Sequence, residues 1–529
     1  MLKKMSNQYF TVLILFIVLF LAVPTTVLGE ERSGSCGENA YWTLDEEGTL
    51  VISGFGPMED YIAVYQAPWA EFKVFRIVIE EGITAIGNRA FDSCDYLTEA
   101  VLPSSLERIG AGAFDGTQLS AIVIPENVHT IGDSAFEGCT FLANVELPSS
   151  LRTIGNKAFL SCWSLTEFVI PAGVTQIGDY ALSTTAISSI VIPEGITSLP
   201  NNLFSGCRDL TDISLPSTLQ SIGSYAFSGC SRLEHITIPY GVTTIGGSVF
   251  QSCLAMKEIV IPDSVLSIGS HTFAGLYFLE NVQLSKNLTA IEGSLFENCE
   301  NLTSIAIPDG VEYIGRYAFR SCSNLKDAPL PSQLKTIDLG AFCECRSLTE
   351  VVFPAGLEVL NGFEDCAGLV SIVIPEGIRE IGTGAFRGCS NLQVITLPDS
   401  LTLIPSGAFA ECTQLHHVFY LGTEEQWKQI EVDYYGSNEF KTAARHYNNN
   451  GEVTIYSEYR HCSACCAEGI HKFATESTEK ENQRRTCILC GGKEPIEIPW
   501  GLIIPMVTIV VILTVGFIFD RLNRRRYRF

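Results

Sequence analysis

The sequence predicts a strand-rich α/β fold: a solenoid of stacked parallel strands, then a small cysteine-rich module and one C-terminal transmembrane helix. Three observations carry this. A unit of 22–23 residues recurs over most of the chain. The composition, 46% hydrophobic and only 18% charged, is too apolar for disorder in a chain of 529 residues. Two long apolar runs lie near the two ends.

Residues 1–29 have the three-part form of a secretory signal peptide. Lys3 and Lys4 make a basic start, Phe10 to Val23 is apolar, and Val27-Leu28-Gly29 precedes Glu30. An uncleaved anchor helix is the other reading. Export follows from the first.

The repeat comes next. A marker Phe falls at 91, 114, 136 and 159, gives way to Leu182, and returns at 204, 227, 250, 273, 296, 319, 342, 363, 386 and 409. That is about 15 repeats of 22–23 residues, with one step of 21 before Phe363. In the unit SIVIPEGITSLPNNLFSGC, Ile190 and Ile192 alternate with Val191 at strand periodicity. Pro193 ends the strand because it cannot donate to a ladder. Glu194-Gly195 turns the chain, and Ile196 and Leu199 return it to the core. Most units then carry a Gly, such as Gly223, Gly246 or Gly315, read as permitting a tight bend; here Pro200 takes its place. Ala-Phe-x-x-Cys is read as one short helical or 3₁₀ turn. No single unit can bury its apolar side, so the units stack, and their strands in register make a long parallel sheet.

The phrase LPxxLxxIGxxAFxxC resembles the leucine-rich repeats of BspA-like surface proteins, from about Phe75 to Tyr420. This gives a BspA-like leucine-rich-repeat solenoid over 74–420. The flanks are similar to the same family: SGSCGENAYWTLDEEGTLVISGFGPMEDY with Ala67-Pro68-Trp69 before the repeats, and Tyr420 to Asn448 after them. The resemblance implies an N-terminal cap over 30–73 and a C-terminal cap over 421–450, covering otherwise open strand edges. Leu182, the short unit at Phe363 and Pro329 depart from the pattern, as places where the stack would bend or loosen.

Of 19 cysteines, twelve sit three residues after the marker. Thr117, Thr185 and Leu276 fill that place elsewhere, so the column reads as small buried hydrophobes rather than a disulfide ladder. Residues 451–499 hold a second population, Cys462, Cys465, Cys487 and Cys490, spaced CxxC-x21-CxxC. Four thiolates at this spacing suit one structural zinc; one or two disulfides are the alternative outside the cell. HKFATESTEKENQRRTCILCGG also resembles small cysteine-knuckle modules of bacterial surface proteins.

Residues 500–519, WGLIIPMVTIVVILTVGFIF, have the length and apolarity of a transmembrane helix. The arginine-rich tail 520–529 places the C-terminus in the cytoplasm and the bulk of the chain outside.

The net charge of −25 disfavours nucleic acid and anionic lipid as partners of the main body. The chain holds no Walker loop, HExxH, GxSxG or Rossmann fingerprint, so no enzyme is expected. His416-His417 reads as a surface pair at the solenoid end, and Glu80-Glu81 as turn residues. The candidate site is the exposed strand face. Its mostly β-branched row runs through Val78, Val101, Val123, Glu146, Val169, Val191, Ser214, Thr237, Val260, Gln283, Ala306, Pro329, Val352, Val373, Thr396 and Phe419. Its margin carries Glu99, Glu167, Asp212, Glu234, Glu258, Glu280, Asp327 and Glu350. The null hypothesis is sheet propensity with a solvated edge. The functional reading is recognition of an extracellular protein, and an acidic margin suits basic protein patches or divalent cations. The family resemblance implies attachment to host matrix or to other cells. A structural spacer with no ligand is the alternative.

Overall fold

The computed structural model describes residues 32–63 and 66–448. The signal peptide, cysteine module, membrane helix and tail expected above lie outside these residues. No described helix is long and apolar enough to cross a membrane. The chain divides into two compact units, Met1–Pro239 and Tyr240–Phe529.

In the first unit most repeats form one coil with two short strands, and the coil through Glu167–Val169 has only the second. The leading strand column begins in an antiparallel hairpin, Ala40–Leu44 against Thr49–Gly54. Thr49–Gly54 then pairs in parallel with Arg76–Ile79, which pairs with Glu99–Val101. The second column stacks Ile83–Ile86, Arg108–Ile109, Thr130–Ile131, Thr153–Ile154 and Gln176–Ile177, all parallel. One long sheet was expected. The structure has sheets of two to six strands instead, which end where neighbouring coils lack ladder pairing, as at the strandless segment around Glu167.

The core is a column of rings. Phe91, Phe114, Phe136 and Phe159 stack with centroids 5.2–5.3 Å apart. Trp69 closes the N-terminal end, stacked 5.5 Å from Phe91 and donating its indole N–H to the Ala90 carbonyl at 2.8 Å. Burying one such ring stabilises by about 1.5–3 kcal/mol. Leu182 interrupts the column, and Phe168 turns inward there, edge-on to Phe159 at 5.0 Å.

The Ala-Phe-x-x-Cys piece is not helical. Arg89 and Ser93, on either side of Phe91, take left-handed backbone with φ of 54° and 57°. The N–H groups of Ala90, Asp92 and Cys94 bond back three residues, at 3.2–3.3 Å. Those of Arg89, Phe91 and Ser93 bond to the next coil at 2.8 Å. A 3₁₀ helix needs consecutive local bonds. Here every second N–H leaves to join the neighbouring coil, which satisfies the backbone and ties the stack.

The glycine after the second strand serves a close approach rather than a bend. A Cβ on Gly132 would lie 2.6 Å from the Ala111 nitrogen of the preceding coil. At Pro200 the corresponding N–H is missing. The bond Gly178 makes to the Ile154 carbonyl therefore has no counterpart at Ile177, and no ladder joins Gln176–Ile177 to Ser198–Leu199. An open polar groove of about 420 Å³ lies at this break, lined by Asn156, Gln176, Ile177 and Ser198 among others.

Polar ladders run along the same unit. Asn88 N–H bonds to Asp60 Oδ1, Asn156 N–H to Asp133 Oδ1, Asp179 N–H to Asn156 Oδ1 and Asn201 N–H to Asp179 Oδ1, all at 2.7–2.9 Å.

In the second unit the rings stack from Phe250 through Phe273, Phe296, Phe319, Phe342, Phe363 and Phe386 to Phe409, with centroids 5.0–6.0 Å apart. Phe440, on the short helix Asn438–Thr442, closes the column 4.7 Å from Phe409. The short unit does not loosen this stack, since Phe342 and Phe363 stay 5.0 Å apart. Gly362 absorbs the deletion at φ 92°, where a Cβ would lie 2.6 Å from the Asp338 carbonyl. Pro329 does weaken strand pairing, leaving only the isolated bridge Ser304↔Asp327. The last strand, Ala444–Tyr447, lies parallel to His417–Tyr420.

The cysteine column has a polar role as well as an apolar one. Ten of the described thiols, from Cys139 to Cys412, donate to the carbonyl of the marker residue one coil back. Cys139 bonds to Phe114 O at 3.0 Å, Cys162 to Phe136 O at 3.2 Å, and Cys322 to Phe296 O at 3.1 Å. Burial pushes Cys139 and Cys322 up to about 12, which keeps the proton in place to donate. Thr117 and Thr185 fit because a hydroxyl also bonds here. Thr185 Oγ1 donates to Leu182 O at 2.9 Å. A disulfide ladder is not formed among Cys139, Cys162, Cys207, Cys299, Cys322, Cys345, Cys366, Cys389 and Cys412, which are free thiols.

Candidate interaction face

The leading strands present alternate residues to opposite sides. Ile190 and Ile213 point into the core, whereas Val191 between Ser189 and Ile192 is 66% exposed. Val123 and Val169 are 60% and 79% exposed, and Val101, Val260, Val352 and Val373 are exposed too. The row is not uniform. Val78 is half-buried, and Thr396 and Phe419 are buried, so the expected face ends before them. Phe419 packs on His446 at 4.4 Å.

Register places the face residues side by side: Val123 opposite Glu146, Ser189 opposite Asp212, Val191 opposite Ser214 and Glu258 opposite Asn281. Glu99, Glu167, Asp212, Glu234 and Glu258 are all exposed. Their electrostatic settings differ. Glu99 is already paired with Arg76 at 3.1 Å, directly opposite on the neighbouring strand. Lys257 precedes Glu258 in the margin, and Lys326 precedes Asp327. The acidic margin thus carries a lysine beside the carboxylate at both places.

His416-His417 is not a surface pair. Both are half-buried, and His417 Nδ1 lies 3.1 Å from His446 Nε2 across the last strands. Among the described residues, no three His, Cys, Asp or Glu side chains are placed to hold a metal ion. Cys462, Cys465, Cys487 and Cys490 lie outside those residues.

Two aromatic residues on the approach to the face went unnoticed in the sequence. Phe141 and Trp163 are 58% and 64% exposed, in the turns just before Leu142 and Leu165. For Trp163 the signal was available, since other coils carry Asp95, Arg208 or Ser231 there; the position of Phe141 holds Asp209 or Arg232 in some coils and Tyr96 or Phe278 in others.

The architecture defines a class, a solenoid of parallel-strand repeats with aromatic ends and an exposed strand face. A family described as the BspA type leucine rich repeat region matches residues 69–186, 175–259, 243–362 and 361–450. The chain belongs to this family, whose repeats generally serve protein interaction. No curated protein matches it. Among solved structures, a leucine-rich repeat protein from Bacteroides ovatus is 29% identical with a TM-score of 0.55, covering 78% of this chain and 99% of that one. One from Eubacterium ventriosum is 25% identical with a TM-score of 0.42, covering 68% and 95%. A leucine rich cell surface protein from Faecalibacterium prausnitzii is 25% identical with a TM-score of 0.38, covering 75% and 97%.

Proposed function

We propose that this protein is exported, held in the membrane by residues 500–519, and mediates protein binding or adhesion through the exposed strand face. The supporting observation is the valine row, with Val123, Val169 and Val191 each at least 60% exposed. Val169 and Val191 occupy the same position in successive repeats, with Glu146 between Val169 and Val123, and exposed apolar groups gathered on one face mark interaction sites. The partner is an extracellular protein or a cell-surface or matrix ligand. The protein acts without catalysis and requires no cofactor. Cys462, Cys465, Cys487 and Cys490 hold a structural zinc in a membrane-proximal module, with disulfides as the alternative. A ligand-free spacer is the second reading, favoured by the ordinary preference of strands for valine.

Full-length protein in detergent, immobilised and exposed to matrix proteins and whole cells, tests this. Binding that falls when Val169 and Val191 are changed to Ser supports the reading. Binding to nothing favours the spacer. Protease treatment of intact cells checks the topology: residues 32–448 should be cleaved and the tail protected. Metal analysis with thiol counting decides between zinc and disulfides.

A further inference from the structure

We infer that one part of this face, spanning Ala121 to Ser214, docks a cationic, extended polypeptide segment anchored by an arginine on Trp163. This rests on the interaction reading above and narrows it to one region and one partner chemistry.

Two independent observations carry the inference. The first is unpaired charge. Glu146, Glu167 and Asp212 are exposed on the face, and none joins an ion pair among the described residues, unlike Glu99. No Lys or Arg occupies a face position in the strands of this stretch. The Lys and Arg of this stretch lie outside its strands: Arg152, bonded to the Ser149 and Leu151 carbonyls, Lys157, and Arg208 in the turn before Asp212. A surface of single-sign charge over low-dielectric apolar walls attracts the opposite charge and raises its association rate.

The second observation is the pair of unpartnered aromatics. Trp163 and Phe141 lie in neighbouring coils, largely exposed, and neither ring meets another ring or a cation among the described residues. Elsewhere some aromatics carry a cation over the ring, while exposed rings such as Phe278 and Tyr240 carry none among the described residues. Lys73 lies 5.1 Å over Tyr96, and Arg316 lies 4.9 Å over Tyr317. A free indole beside free carboxylates suits a guanidinium, which stacks on the ring and bonds the acids through its fork. Val169, past Glu167 in the same coil, and Val191 in the next coil accept the apolar residues of an alternating partner strand. An extended chain presents residues of one side every second position, about 6.5–7 Å apart. It can therefore place cations toward the acidic margin and apolar side chains on the valines.

Fluorescence anisotropy with the full-length chain tests this. The probe is a labelled synthetic peptide of alternating Arg and Val, with an alternating Glu-Val peptide as counterpart. The Arg-Val peptide should bind, more weakly as salt rises, and the Glu-Val peptide should not. The triple change Glu146→Gln, Glu167→Gln, Asp212→Asn should weaken binding by about tenfold or more. Trp163→Ala should weaken it by about fivefold, and Trp163→Tyr should restore most of it. Glu258→Gln with Glu350→Gln should change it by less than about twofold. All these side chains are exposed, and unchanged circular dichroism and melting would confirm folding. Equal binding of both peptides, or a triple variant within about twofold of the parent, overturns the inference. If the Arg-Val peptide fails while matrix proteins still bind and Val169→Ser blocks them, the cationic partner is wrong and the broader function stands.

Discussion

The two units tolerate different irregularities. The second unit loses residues before Phe363 and keeps an unbroken ring column from Phe250 to Phe440. The first keeps its chain length through Leu182, a step of 23 residues, yet its column is interrupted there. The stack thus depends on a ring of the right volume at one position, whereas chain length is adjustable in a turn where Gly362 can bend. The outer surfaces differ as well. The first unit carries the Asp133–Asn156–Asp179–Asn201 ladder, where the second has Ser270, Gly293, Arg316 and Leu339. Its strand face is acidic and free of lysine between Ala121 and Ser214, while that of the second includes Lys257, Lys326 and Pro329. What varies between units is the surface. What is constant is the ring, the thiol and the alternating backbone bonds.

The largest expected effect comes from breaking the intact column. Phe319→Ala should cost about 3–5 kcal/mol in chemical denaturation, because rings on both sides prevent collapse into the space. If it costs under about 1 kcal/mol, the column is not what holds the second unit together. Forcing the broken column to resemble the intact one should also destabilise. Leu182→Phe meets Phe168 and should cost about 1–3 kcal/mol, most of it recovered when Phe168→Ile is added. Simple additivity in that cycle would show that the two side chains do not share one space.

Removing a thiol tests the constant part. Cys322→Ala removes one of two donors to the Phe296 carbonyl, which keeps the Cys299 N–H at 3.1 Å, and should cost about 0.5–1.5 kcal/mol, with Cys322→Thr milder. In native protein these thiols should resist alkylation, since the thiolate is disfavoured by burial. The polar ladder separates the units at a smaller scale. Asn156→Ala should cost about 1 kcal/mol by leaving the Asp179 N–H unpaired, while Arg316→Ala should stay within about 0.5 kcal/mol.

The smallest effect is pH-dependent. Burial, then the charges of Asp92 and Glu137, pushes Asp115 up to about 6. Its folded value lies above that of an unfolded aspartate, about 4, so its charge opposes folding above pH 6. That opposition fades as pH falls from 6 toward 4. Asp115→Asn should therefore raise the melting temperature at pH 8 and lose the advantage near pH 4. A gain that persists at pH 4 would point to a cause other than charge.

Much of this was legible in the sequence, for particular reasons. Ile190, Ile192, Ile196, Leu199, Phe204 and Cys207 recur at fixed offsets, and a residue that stacks on its own copy leaves a period in the chain. The alternation of Ile190, Val191 and Ile192 likewise located the exposed row. Other features left no such trace. The left-handed residues Arg89 and Ser93 are ordinary side chains, so nothing local announced that the Phe segment alternates its bonds between coils. Cys looked like a hydrophobe because its acceptor, a Phe carbonyl, belongs to the coil before.

The sequence by itself determined the repeat, its core residues and which strand positions face outward, because those follow from periodicities of two and of 22–23 residues. Only the tertiary structure decided which of those outward positions stay exposed and which carboxylates stay free. Val191 is open while Phe419 is covered, and Glu99 meets Arg76 while Glu167 meets no cation among the described residues. The reason is physical. Burial and charge pairing on a stacked coil depend on what its neighbours place beside it, and those residues lie a full repeat away in the chain.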